Sequence, residues 1–355
     1  MPEYISLHGT RPQEQHYYPP GSTTCRWWKS EEDHRLFTVI NSPAGEIHGS
    51  ALFLPPFGLN LHNMFAPAFY LVNAGFRTIR FDCRNNVGAS PGEICDFRLG
   101  RLIEDARAAA ARTTECFGSD DFLIVGTSIS ASAALLLARD YPRARIFLMV
   151  PIVDLGRVVN LLSNDPGAMD AYRRRDADVV RVRNIFGHDL NAQEFCDDLV
   201  SSGVATAAEL LAAARSVRGR AGLVLAGNDE YCSTELQHRL VEALGAGDDT
   251  LLLEGSRHGF GASALAARRC FAHLVHFAQS HFNVPEAQRN AALPDDIATE
   301  TAGRRDREAI LHHFNSVAGA GHAATRSPPP VCLGSGGEPA ALQRSKEIAE
   351  LSPSV

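Results

Sequence analysis

The sequence predicts an α/β fold: a mostly parallel sheet with helices on both faces and a helical lid inserted after one strand. Three observations carry this. Short apolar, β-favouring runs recur along the chain with helix-compatible segments between most of them. One of these runs, residues 122–125, stops at Gly126-Thr127-Ser128 and passes directly into an alanine- and leucine-rich segment free of Gly and Pro, the outline of strand, sharp turn and buried helix. The alternation then breaks over about residues 155–220, a span too long for an ordinary loop.

Taken in order, residues 1–34 are polar and punctuated by Pro19-Pro20-Gly21, and read as an irregular lead-in covering an edge of the sheet. Strand patterns follow at 36–40, 47–54, 76–81, 122–125, 146–150, 223–226 and 251–253. Helical patterns lie at 64–73, 99–114, 131–140, 234–244 and 262–277. The first two strands have no helix between them, which predicts an antiparallel start. The insertion at 155–220, with a helical signal at 206–215, follows the strand ending at Val150. It would lie over the carboxyl ends of the strands, where sites in such sheets sit, and reads as a lid. The domain therefore spans 35–285. A C-terminal extension at 286–316 carries a helical pattern at 304–314, and the Gly-, Ala-, Ser- and Pro-rich segment 317–355 predicts disorder.

A chain of 355 residues can bury a sizeable core, and 45% hydrophobic with 21% charged residues is ordinary for a globular protein. The net charge of −7 argues against nucleic acid as the main partner. No secretory leader pattern opens the sequence, and no apolar run is long enough for stable membrane insertion. The eight cysteines are scattered, without C-x-x-C or zinc spacing. A reducing, cytoplasmic setting is expected, with no metal and no cofactor.

Ser128 is the first candidate nucleophile, because a serine on such a corner exposes its hydroxyl at the sheet edge. A serine hydroxyl needs a base, and the base needs a carboxylate to orient it. In α/β-hydrolase arrangements these follow in the order Ser, acid, His. Asp229 stands just past the strand 223–226, and His258 just past 251–253, in that order. Asp154, after the preceding strand, is a competing acid, but Asp229 leaves the usual gap before the histidine. Ser128 could instead cap the next helix, and His258 is one of fourteen histidines; the matching trio favours catalysis for both. The elbow departs from G-x-S-x-G, with Ser130 at the second glycine position.

An oxyanion needs preorganised donors. One is expected from the Ile129 N–H. The other comes from the loop Pro55-Pro56-Phe57-Gly58, where the prolines have no N–H and Phe57 is the first residue able to donate. His62 and Asn63, just beyond, either line the pocket or cap the next helix.

The blocks Arg80-Phe-Asp-Cys-Arg-Asn-Asn-Val-Gly-Ala-Ser-Pro-Gly92, Gly-Thr-Ser-Ile-Ser-Ala131, Asn228-Asp229 and Gly255-Ser-Arg-His258 resemble those of the acyl transferases of bacterial bioluminescence, over about residues 35–285. The resemblance implies an α/β-hydrolase fold and a serine acyl-enzyme acting on fatty acyl thioesters of acyl-carrier protein or CoA. It places the nucleophile at Ser128, the acid at Asp229 and the base at His258, and implies a possible acceptor enzyme as partner. The chain departs from that family in the Gly-Phe after His258, the N-terminal segment and the long tail. Arg173, Arg174 and Arg175, with Arg181 and Arg183, give the lid local positive charge. Such a run is either a solvated face or a landing site for the phosphate of CoA or an acidic carrier protein. A general carboxylesterase with the same triad, and a catalytically silent binding module on the same fold, are the alternatives.

Overall fold

The computed structural model describes residues 21–29, 34–180, 182–259, 263–289, 293–294 and 296–319. Residues 1–314 form one unit; of the second, 315–355, only the stretch to 319 is described, as the end of a helix. The strands of the main sheet are β1 (Ser22–Lys29), β2 (Arg35–Ser42), β3 (Gly49–Leu54), β4 (Phe76–Phe81), β5 (Leu123–Thr127), β6 (Arg145–Met149), β9 (Ala221–Ala226) and β10 (Thr250–Leu253), with β7 (Val182–Ile185) and β8 (His188–Asn191) forming a separate hairpin. Their order across the sheet is β1-β2-β4-β3-β5-β6-β9-β10. From β4 to β10 every neighbouring pair is parallel; β2 runs antiparallel to both β1 and β4.

The central strands are buried on both faces because consecutive apolar residues serve two different cores. Leu52, Leu54, Ile124, Leu148 and Leu223 enter one core, while Phe53, Val125, Phe147 and Val224 enter the other. On the first side lie α2 (Leu99–Phe117), α3 (Ser130–Asp140), α7 (Ala207–Ser216) and α8 (Thr234–Leu244); on the second, α1 (Phe65–Asn73) and α9 (Ala264–His281), joined by Ile310 of α10 (Asp296–Gly319).

Two expectations are corrected and one is sharpened. Residues 22–29 are not irregular: they form the edge strand β1, paired with β2 along its whole length. The antiparallel start holds, with β2 antiparallel to β1 and β4, but β3 does not pair with β2 and inserts between β4 and β5. The insertion is not purely helical. Between α4 (Leu155–Ser163), α5 (Ala168–Arg174) and α6 (Ala192–Ser201) it carries the β7–β8 hairpin, closed by Phe186 and Gly187 at φ +51° and +85°, the two positive values a tight hairpin turn demands. Four-residue strands leave little period-2 signal, so the hairpin is hard to read from sequence. The helix α7 packs between α3 and α8, so it covers the sheet rather than capping its edge. The expected C-terminal helix is present within α10, while 320–355, where disorder was expected, lies outside the described residues.

Two buried polar fasteners hold the segments that lead to the site. Asp82, at the end of β4, accepts the Leu61 N–H and the Ala89 N–H, each at 2.8 Å. The Gly88 backbone passes so close that a Cβ there would stand 2.3 Å from the Asp82 carboxyl carbon, at φ +136°. Ser90 accepts the Phe37 N–H and donates to the Asp82 carbonyl. The block Asp82…Gly88-x-Ser90 is therefore a knot of backbone ties. The second fastener is Arg80, fully buried, whose guanidinium donates to Asp306 Oδ1 of α10 at 2.8 Å, Asn41 Oδ1 at 2.7 Å and the Leu61 carbonyl at 2.9 Å.

Removing Asp306 leaves the Arg80 charge buried without a carboxylate, so Asp306→Ala should cost about 3–5 kcal/mol of stability by urea denaturation. Much of that loss should be recovered by adding Arg80→Met. Burial pushes the Asp82 carboxyl up to about 6, against the pull of the Ala89 and Leu61 N–H groups and of Arg80. A carboxyl shifted up favours the folded state in its protonated form, so this contribution is present below pH 4 and lost as pH rises through 6. Carbon NMR should show the Asp82 carboxyl titrating near pH 6. The stability deficit of Asp82→Asn relative to wild type should be greatest below pH 4 and narrow above 6.

Candidate active site

At the end of β5 the chain must turn sharply to start α3, and Ser128 makes the corner with a left-handed backbone, φ +56°. That conformation costs a non-glycine residue about 1–2 kcal/mol, and the surrounding packing enforces it. A Cβ on Gly126 would lie 2.9 Å from Ala131 Cα, Ala134 Cβ and the Ser130 carbonyl, so strand and helix could not approach as they do with any other residue. The Ser128 N–H is held by the Met149 carbonyl at 3.0 Å. Ser130 is fully buried; its Oγ accepts the Thr127 N–H at 2.9 Å and lies 3.0 Å from the Leu54 carbonyl. The residue that breaks the G-x-S-x-G pattern thus stitches the elbow to the end of β3.

The structure brings three separated residues into one relay. Ser128 Oγ lies 2.8 Å from His258 Nε2, and His258 Nδ1 lies 2.9 Å and 3.1 Å from the two Asp229 carboxylate oxygens. Asp229 is almost wholly buried and is fixed by the N–H groups of Tyr231 and Cys232, at 2.8 and 3.1 Å. Its negative charge keeps the proton of His258 on Nδ1, which leaves Nε2 free to accept from Ser128. The Tyr231 ring packs edge-on against the imidazole, with centroids 4.8 Å apart, and Glu230 accepts the His258 N–H at 3.0 Å. Asp154 is elsewhere employed: it caps α4, accepting the Arg157 N–H at 2.8 Å.

Among the described residues, neither the Phe57 N–H nor the Ile129 N–H donates to a protein group. The Gly58 N–H is already taken by Asn86 Oδ1 at 2.9 Å. The Asn86 amide donates to the Pro56 and Leu59 carbonyls at 2.9 and 3.1 Å, so one buried side chain pins the loop on both sides of Phe57. Sequence reasoning did not single out Asn86; a second asparagine beyond β4 is a faint signal.

Ser128, Phe57 and Ile129 line a cavity that is partly open to solvent. Its walls are apolar, chiefly Leu155, Val158 and Leu162 of α4, Ile185 of the hairpin and Phe195 of α6. Behind two of the lining rings, Phe57 meets Phe97 edge-on with centroids 5.1 Å apart, and Phe97 lies tilted against Phe195 at 6.3 Å. The hairpin tip reaches the triad: Phe186 meets Tyr231 with centroids 6.1 Å apart.

Arg173, Arg174 and Arg175 lie on the cap with acids beside each, Asp170 at 3.6 Å, Asp176 at 2.8 Å and Asp197 at 2.8 Å. Arg181 lies outside the described residues. Asn63 closes a capping box with Asn60, and His62 sits 3.9 Å from Asp306. Among the described residues no cluster of His, Cys, Asp and Glu could hold a metal ion, and no helix is long and apolar enough to cross a membrane.

No protein-family model and no curated protein sequence matches the chain. Solved structures do. The α/β hydrolase GrgF from Penicillium sp. sh18 is 17% identical with TM-score 0.52, covering 74% of this chain and 99% of its own. Est1E from Butyrivibrio proteoclasticus, solved with ferulic acid, is 14% identical with TM-score 0.52, covering 81% and 99%. A monoacylglycerol lipase of Paleococcus ferrophilus is 16% identical with TM-score 0.50, covering 69% and 99%. Identities this low speak for architecture alone, and with the strand order, the left-handed serine corner and the insertion after β6 they lead to one conclusion: this chain has the α/β-hydrolase fold.

Proposed function

We propose that this chain is a serine acyl hydrolase or acyl transferase that works through an acyl-enzyme on Ser128. The observation that carries the reading is the relay Ser128–His258–Asp229, at 2.8 and 2.9 Å, opening on an apolar cavity. His258 Nε2 takes the Ser128 proton as Oγ attacks the acyl carbonyl, and the negative oxygen turns toward the Phe57 and Ile129 N–H groups. When the carbonyl re-forms, the bond to the leaving group breaks and His258 returns its proton to that group. Water, or another acceptor, then gives its proton to His258 and attacks the acyl-serine; as the Oγ–acyl bond breaks, His258 returns that proton to Ser128 and the acyl group leaves on the acceptor.

The substrate class within this reading is a fatty acyl thioester. Two things support it: the apolar cavity matches an alkyl chain, and four sequence blocks resemble thioester-using acyl transferases. Docking of CoA or a carrier protein through Arg173, Arg174 and Arg175 belongs to the same proposal. One observation favours the second reading, a carboxylesterase without carrier recognition: each of those arginines already has an acid beside it.

Intact-mass spectrometry after exposure to an acyl thioester ladder should show one acyl group, mapped to Ser128. Ser128→Ala should lower kcat by about 10³-fold or more, and full turnover by that variant would sink the proposal. Activity confined to simple esters, indifferent to neutralising Arg173–Arg175, would select the carboxylesterase. Asn86→Ala should release the oxyanion loop and lower kcat by roughly 10- to 100-fold with KM little changed. A purely structural role would instead lower the melting temperature without that kinetic split.

A further inference from the structure

The cavity is lined mostly by apolar residues, with Ser128, Ser163, Tyr172 and Cys196 interspersed, and Arg183 is its one charged residue among the described residues. Arg183, on β7, lines it beside Ile185, because residues two apart on a strand face the same way. Its Nε donates to the Tyr172 hydroxyl at 2.8 Å, and that hydroxyl in turn donates to the Val180 carbonyl at 2.7 Å. Tyr172 is 1% exposed, so the guanidinium is aimed by a fixed partner rather than left to wander. Among the described residues no carboxylate pairs with Arg183, whereas Arg173, Arg174 and Arg175 each have one. Its other two guanidinium nitrogens bond to no described residue, and the residue lines a site whose walls are chiefly hydrocarbon.

Position along the hairpin gives the spacing. The Phe186 end touches Tyr231, which packs on His258, while Arg183 stands three residues back. At about 3.3 Å per residue, that is roughly 10 Å along the strand from the catalytic end. A neutral alkyl chain reaching this depth would strip water from a charge and return no hydrogen bond, which is unfavourable. A chain ending in a carboxylate would meet a planar fork suited to two parallel hydrogen bonds. Resting on the acyl-enzyme reading above, we propose that the preferred acyl group carries an anion at its far end, separated from the reacting carbonyl by several methylenes and bound by Arg183.

Paired substrates test this: N-acetylcysteamine thioesters of octanoate and of its ω-carboxylate counterpart of equal carbon count, with octanoyl-CoA as a third. Wild type should favour the ω-carboxylate over octanoate by about 10-fold or more in kcat/KM. Arg183→Met should lower that ratio by about 10- to 100-fold, mostly through KM, and Arg183→Lys should lower it less because the charge stays and the fork is lost. Tyr172→Phe, which keeps the cation but removes its guide, should also lower it. Taking a ratio cancels any general loss from imperfect folding. A wild-type ratio at or below one, or a ratio indifferent to Arg183→Met, overturns the inference. So does a result in which Arg183→Met removes only an advantage of octanoyl-CoA over the neutral thioester, since the anion would then belong to the leaving group. If Ser128 is acylated while the ratio is flat, this inference fails and the acyl-enzyme reading stands. If neither the thioesters nor the matching aryl esters of the two acids acylate Ser128, both fail.

Discussion

One backbone constraint governs the site: the chain must leave β5 and enter α3 through a single left-handed residue. That geometry exists only because Gly126 has no Cβ, so α3 can lie against the strand with Ala131 and Ala134 in contact distance of the missing side chain. The strained residue is Ser128, and its hydroxyl is pushed out over the sheet edge with the next N–H alongside. The other residues of the relay are set relative to this corner. Since β3, β5, β6, β9 and β10 are parallel neighbours in the sheet, the loops after β3, β9 and β10 emerge on the same edge. Phe57, Asp229 and His258 come from those three loops.

Loops alone would not hold such a site to tenths of an ångström, and the chain fixes them with buried polar groups. Asn86 uses its carbonyl and amide to pin both sides of Phe57. Asp82 pulls in Leu61 and Ala89, and Arg80 ties the Leu61 carbonyl to the C-terminal helix through Asp306. Each such group is costly to bury and costlier to leave unpartnered, so the geometry they impose is hard to escape. Ser130 belongs to the same set, joining β3 to the elbow where a glycine could only have made room.

The insertion after β6 shapes the cavity. Its helices α4 and α6 supply hydrocarbon walls, and the β7–β8 hairpin spans from the histidine end, at Phe186, to the cation, at Arg183. Rings link the insertion to the loop after β3: Phe57 contacts Phe195 through Phe97, and His188 of the hairpin packs against Phe57 with centroids 6.0 Å apart.

The sequence by itself determined the alternation of strands and helices, the serine corner, and the order of serine, acid and histidine, because each is written locally. A buried parallel strand is a short apolar run, and Ser128, Asp229 and His258 each follow one directly. The tertiary structure decided what depends on distance across the sheet. Asp154 and Asp229 look alike in sequence, yet one caps α4 and the other faces His258. Gly58 and Phe57 could both donate, until Asn86 occupies the first. Residues 22–29 become a strand only because β2 presents its open edge, and the β7–β8 hairpin is too short for its periodicity to speak. The run of lid arginines reads as one patch of charge; folding gives Arg173, Arg174 and Arg175 acids and leaves Arg183 facing the cavity. Local patterns record which residues are buried and where the chain turns, whereas hydrogen bonds and ion pairs between distant segments are settled only when the sheet brings those segments side by side.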